Sequence, residues 1–254
     1  MKNIIFSLLA LFIFGGCAVS EQPKNCFDKT RLEQREYDAL KNARASLATF
    51  KTEYGEMSSY INFLNAYTAE YSKYISAAST ASLVIKYMPI PYAGQISSSA
   101  AFGTKMTALA SNASKSVLKL NTSAAEFDSK LAGYETTKNS QKLQEARKYA
   151  STVLQNDLEE AKLSLIRLKD GAAGLIAVSM AISQYYSSGD QLLSKATSMF
   201  SDKSENDKRA QSDNALKAKT EGFDKRLTKV TASFEGIKGH IKSADTYGAL
   251  SDEL

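Results

Sequence analysis

Tryptophan is missing from this chain of 254 residues, and proline, cysteine and histidine are nearly so, with three, two and one copies. Few prolines in a composition rich in Lys, Ala and Ser exclude a loop-rich or collagen-like architecture and leave long uninterrupted helices as the natural reading. A fold stapled by disulfides is excluded too, because Cys17 and Cys26 are the only thiols. One histidine, His240, and no Cys-x-x-Cys pair leave no zinc ligand set. No Glu-x-x-His pair of the di-iron bundles is present either. Glycine loops that cradle phosphate are missing. The charge is mild, +5 for the full chain, with 32 basic residues against 27 acidic ones and no basic block interleaved with aromatics, so nucleic acid is not an expected partner.

What is there is a heptad repeat. From Leu40 to Ile85 one register carries Leu40, Leu47, Tyr54, Ile61, Thr68, Ile75 and Ser82, and the other Ala43, Phe50, Met57, Leu64, Tyr71, Ala78 and Ile85. Apolar residues returning every 3.5 positions hold one seam against a partner only if the helices supercoil. The spacing predicts an all-α fold, an elongated antiparallel four-helix bundle or coiled coil with long helices.

Taken in order, the chain divides into a leader over 1–16, a tether over 17–27 and a helical bundle over 28–250. Lys2 and the apolar run Ile4 to Phe14 form a targeting segment too short to persist as a membrane span. The following Gly15, Gly16 and Cys17 make this leader similar to the lipobox signal of bacterial lipoproteins, with Phe14 where that family usually has leucine. The resemblance implies cleavage before Cys17, lipidation of its thiol and acylation of its new amino group. Several chains on one residue anchor stably where one holds only marginally. Ala18, in place of the aspartate that retains such proteins at the inner membrane of enteric bacteria, implies the outer membrane, facing the periplasm. Cys26 then stands without an internal partner; it is either a free thiol or a link between two copies, which leaves a homo-oligomer open.

The first helix is expected over 28–87, opened by a capping box at Thr30 and Glu33 and stopped by Pro89 and Pro91. A second is expected over 95–134, with Gly103, Met106, Ala110, Ala113, Val117, Leu120, Ala124, Phe127, Leu131 and Tyr134 as its seam. The third, over 138–187, carries Leu143, Ala146, Ala150 and Val153 and then slips register to Leu154, Leu158, Ala161, Leu165, Leu168, Ala172 and Leu175, a stutter. Its stretch Gly171 to Ile182 reads as buried core. A short helix over 190–200 and a last one over 208–246 complete the set; the latter carries Leu216, Phe223, Leu227, Val230, Phe234, Ile237 and Ile241. The helix lengths suggest a four-helix head and a thinner two-helix stalk, with residues 32–47 against 230–244.

No chemistry-bearing constellation accompanies this frame, so the chain is not expected to be an enzyme and no cofactor or metal is expected. Beside the seam residue Ile241, His240 should face away from the core, and the neighbours Glu159 and Glu160 should point in different directions on a solvated surface. Tyrosines recur along the first helix, among them Tyr54, Tyr60, Tyr67, Tyr71, Tyr74 and Tyr87; Tyr54 and Tyr71 fall on the seam and the others flank it. Around the Pro89 turn, Tyr87, Met88, Ile90 and Tyr92 would form an exposed apolar tip for partner contact. The expected role is an envelope-anchored structural or interaction module with an envelope protein or the cell wall as partner. Two alternatives stay open: a membrane-active protein, since the shape resembles α-helical pore-forming toxins, and a small-ligand carrier using a cavity among the small residues of the bundle.

Overall fold

The computed structural model describes residues 28–85, 93–187 and 203–254, and within these the side chains of 28–70, 103–177, 179–180, 207–208 and 210–254. Helix α1 runs over Lys29–Ile85 for 57 residues. Its N-cap is Asp28, whose Oδ1 accepts from the Thr30 amide at 3.1 Å. The expected box at Thr30 and Glu33 is therefore displaced: Asp28 sits two residues earlier, and its short carboxylate accepts from the Thr30 amide. Helix α2 covers Ala93–Thr137, α3 Ser140–Tyr149, α4 Gln155–Ser187 and α5 Lys203–Asp252. The expected short helix over 190–200 lies outside the described residues.

Between α2 and α3 the chain reverses over only Lys138 and Asn139. Lys138 takes the left-handed conformation at φ 51° and donates its amide to the Tyr134 carbonyl at 2.7 Å. Asn139 then caps α3 through its side-chain oxygen, which accepts from the Gln141 amide at 2.8 Å. Helices α3 and α4 are one rod joined by a π-helical turn over Ala150–Leu154, in which the Gln155 amide bonds to the Ala150 carbonyl. One extra residue in the turn absorbs the register slip seen in the sequence. Ala150, Leu154 and Leu158 are all buried, while Val153, expected on the seam, is 38% exposed.

Four rods, α1, α2, α3 with α4, and α5, pack side by side and antiparallel, each against two neighbours. On α1 the seam residues Leu40, Ala43, Leu47, Phe50, Met57, Ile61 and Leu64 are buried. A third row joins them, because Ala39, Tyr60 and Tyr67 are buried as well; a helix inside a four-member bundle covers a stripe wider than a two-stranded coiled coil needs. Tyr54, expected in the seam, is half-buried at its edge. Aromatic layers bind α1 to α5: Phe50 meets Phe234 at 4.8 Å between centroids and Tyr60 stacks on Phe223 at 4.3 Å. The buried hydroxyls are satisfied, that of Tyr60 by Thr220 at 2.8 Å and that of Tyr67 by Asp213 at 2.7 Å and Ser179 at 3.0 Å.

The thinner stalk is overturned. Tyr37 of α1 lies 5.3 Å from Tyr134 of α2, and Arg147 of α3 reaches Glu36 of α1 and Asp252 of α5. All four rods thus run down to this end, here called the base. Length alone misled because α2 extends to Thr137 and α5 to Asp252, each beyond its last strongly apolar seam residue.

The apolar stretch of α4 is also only half core. Ala172, Leu175 and Ser179 are buried, but Ala173, Ala177 and Met180 face outward, Met180 at 53% exposure. A segment apolar on every side has to leave some of that surface uncovered in a bundle that contacts it from one side only.

Candidate functional site

Of the positions singled out in the sequence, Cys17, Cys26, Tyr87, Met88, Ile90 and Tyr92 lie outside the described residues. His240 is half-buried on α5. Glu159 and Glu160 diverge as expected, Glu159 to Lys238 of α5 and Glu160 to Lys119 of α2 at 2.7 Å.

What the fold brings together lies instead at the base. Glu36 of α1 is 4% exposed and stands inside the bundle. Its Oε1 makes no hydrogen bond, and the nearest cation, Arg147 Nε of α3, is 3.6 Å away, beyond the reach of a good one. Arg147 gives its Nη2 to Asp252 at 2.6 Å, while its buried Nη1 has no partner. Gly248 of α5 makes the arrangement possible. A Cβ at that position would fall 1.3 Å from Nη1 and 2.3 Å from Cζ, so the guanidinium lies across α5 only where a side chain is lacking.

Burial pushes the Glu36 carboxyl up to about 7, against the opposing pull of Arg147 and with help from Asp252, Glu33 and Asp245. Asp245 is raised as well, by burial, against the pull of Arg147 and of a hydrogen bond with Ser151. Outside the cluster, an open cleft of about 530 Å3 lies between α3 and α5, lined by Gln144, Arg147, Lys148, Ser151, Asp245 and Asp252 among others. Ser151 belongs to the π-helical turn, so the backbone irregularity and the buried charges occupy one place. Such turns inside helices are frequent where a helix does something besides pack.

A second feature is a smaller groove of about 330 Å3 between α2 and α4, lined by Ser116, Ser164, Lys115, Arg167 and Leu163 among others. The serine hydroxyls satisfy each other at 2.8 Å. Nearer the base on the same interface the buried Asp157 is held by Ser123 and by Lys119 at 3.0 Å.

Chemically, the base holds one carboxyl whose proton leaves near neutral pH and a guanidinium that only partly compensates it. Neither is paired with a nucleophile. Among the described residues, no group of His, Cys, Asp or Glu is arranged to hold a metal ion, and no helix is long and apolar enough to cross a membrane.

The sequence did carry a signal for this cluster. Stepping one heptad back from Ala43 gives Glu36, and one heptad on from Ile241 and Ala244 gives Gly248 and Ser251. The core stripe therefore continues to the base with an acid and small residues in place of apolar ones. Arg147, beside the seam on α3, has no comparable periodic signature.

No known family model matches the chain, and neither a curated protein nor a solved structure matches it.

Proposed function

We propose that this chain is a lipid-anchored protein of the bacterial envelope whose helical bundle serves as a rigid spacer and protein-interaction module, on the outer membrane facing the periplasm. The observation that carries the reading is the unbroken core of α1, buried from Leu32 through Thr68 and locked to α5 by two aromatic layers. A helix of 57 residues spans about 85 Å. With its first turn following the tether over 17–27 and its far end beyond Tyr67, such a rod would hold whatever the far end meets well away from a membrane. The leader supplies the other half of the reading, through Gly15, Gly16 and Cys17. Several acyl chains on Cys17 would make the attachment stable.

Metabolic labelling with radioactive palmitate followed by membrane fractionation tests the anchor. The wild-type chain is expected to carry label and sediment with membranes, and Cys17→Ser to carry none and to become extractable without detergent. A labelled band unaffected by Cys17→Ser, or an unlabelled wild-type chain, refutes it.

A second reading, a membrane-active protein, is favoured by one observation: Ala173, Ala177 and Met180 turn an uncharged face outward on α4. Dye release from liposomes by the unlipidated chain separates the two. Leakage supports the second reading, and none across neutral and anionic lipid compositions removes it.

A further inference from the structure

We propose that the junction of Glu36, Arg147 and Gly248 is a proton-sensitive clasp, which holds the first turns of α1 against α3 and α5 while Glu36 is protonated and releases them when it ionises. The inference concerns the bundle itself and does not depend on how the chain is anchored.

The geometry argues for it in three steps. A protonated carboxyl at Glu36 is a neutral group in a nearly closed interior. An ionised one needs hydrogen bonds or a close countercharge, and both fall short: Oε1 is unbonded and Arg147 stands off at 3.6 Å, its short contact given to Asp252 at 2.6 Å. A buried charge so poorly compensated strongly favours any rearrangement that lets water in. The groups around it add to the effect. Glu33 on α1 and Asp245 and Asp252 on α5 all raise the Glu36 carboxyl, and Arg147 on α3 alone opposes them. From α2 the cluster is faced by Tyr134, whose hydroxyl is raised in turn by burial first and then by Glu33, Glu36 and Asp38.

The direction follows from linkage. An acid whose folded value lies near 7, against an ordinary 4.5, favours the closed base fully below the ordinary value and loses that contribution as pH rises through the folded one. The clasp is therefore tight in mild acid and loose above neutrality. It opens at the end of a rod, since α1 begins at Lys29, two turns before Glu36. The Phe50–Phe234 and Tyr60–Phe223 layers remain as they are. Opening would free the first turns of α1 without dissolving the rod.

Native-state hydrogen exchange on the full mature chain reads this directly, with intrinsic rates corrected, at about pH 5.5 and about pH 8. Protection of amides 29–43 is expected to fall about tenfold or more between the two, with amides 57–67 unchanged. Glu36→Gln, which keeps the shape and removes the charge, is expected to be protected alike at both, whereas Asp245→Asn keeps most of the dependence. Carbon NMR titration of the wild-type Glu36 carboxyl gives a second readout that needs no variant. Constant wild-type protection, a Glu36→Gln chain with the full pH dependence, or a Glu36 midpoint in the ordinary carboxylate range each overturns the proposal.

Discussion

Replacing glycines by alanine tests how the bundle uses space, because four exposed helical glycines and the buried Gly248 should respond with opposite signs. At Gly55, Gly222, Gly236 and Gly239 an added methyl meets nothing within 4 Å, and all four positions are exposed. Each alanine then gains only the lower conformational cost of the helix, about 0.8 to 1 kcal/mol. Together the four should add about 3 to 4 kcal/mol, slightly less if Gly236 and Gly239, one turn apart, interact. For a domain of this size about 1 kcal/mol moves the melting midpoint by about 2 to 4 °C, so the fourfold variant should melt about 6 to 16 °C higher. Gly248→Ala has the same propensity gain but puts its methyl 1.3 Å from Arg147 Nη1. The guanidinium has to leave, which separates it from Asp252 and leaves Glu36 without its countercharge. Removing one partner of a buried pair costs about 3 to 5 kcal/mol at most. Here part of that is avoided, because Glu36 can take up a proton and the Asp252 side chain is 51% exposed. The net loss should be about 1 to 3 kcal/mol near neutral pH and smaller in mild acid. Thermal melts followed by circular dichroism at two pH values measure the five single variants and the fourfold one. A Gly248→Ala chain that melts above the parent, as the other four should, would refute the account of the base.

The remaining predictions concern the core and the π-helical turn. Phe223→Ala removes a ring stacked on Tyr60 and 2% exposed, and should cost about 3 to 5 kcal/mol in urea unfolding; a loss under about 1 kcal/mol would mean the aromatic layer does not hold α1 to α5. Tyr60→Phe should cost about 1 kcal/mol, since Thr220 keeps its bond to the Leu216 carbonyl at 2.7 Å. Deleting Val153 should convert the π-helical turn to regular helix and leave the chain folded with helical content unchanged, whereas deleting Ala161 from the regular seam turns every following core residue out of register. If the Val153 deletion unfolds the chain as fully as the Ala161 deletion, the turn is not the device that absorbs the register slip.

Much of the architecture could be read before any coordinate. The seam over Leu40 to Leu64, the rows on the second and last helices and the slip near Ala150 all follow from periodicity, since a buried stripe has to recur at the pitch of the helix that carries it. Periodicity says less where the stripe is not apolar. Glu36 and Gly248 occupy core positions, yet an acid and a glycine carry no apolar signal, and helix length, the remaining guide, points to a two-helix stalk at the base. Tyr60 and Tyr67 were set outside the seam for a related reason: a heptad written as two rows does not show the third row that a second neighbour requires. The outward turn of Ala173, Ala177 and Met180 was equally hidden, because a segment apolar all round carries no phase.

By itself the sequence determined that this chain forms long helices, which face of each is covered, and where one of them changes pitch, because these are properties of a single helix and its hydrophobic period. Only the tertiary structure decided that four rods reach the base together, that Arg147 crosses α5 over Gly248, and that Glu36 lies enclosed beside it without a hydrogen bond. Those facts depend on how side chains from separate helices divide one small volume, and no pattern along a single strand of sequence records that division.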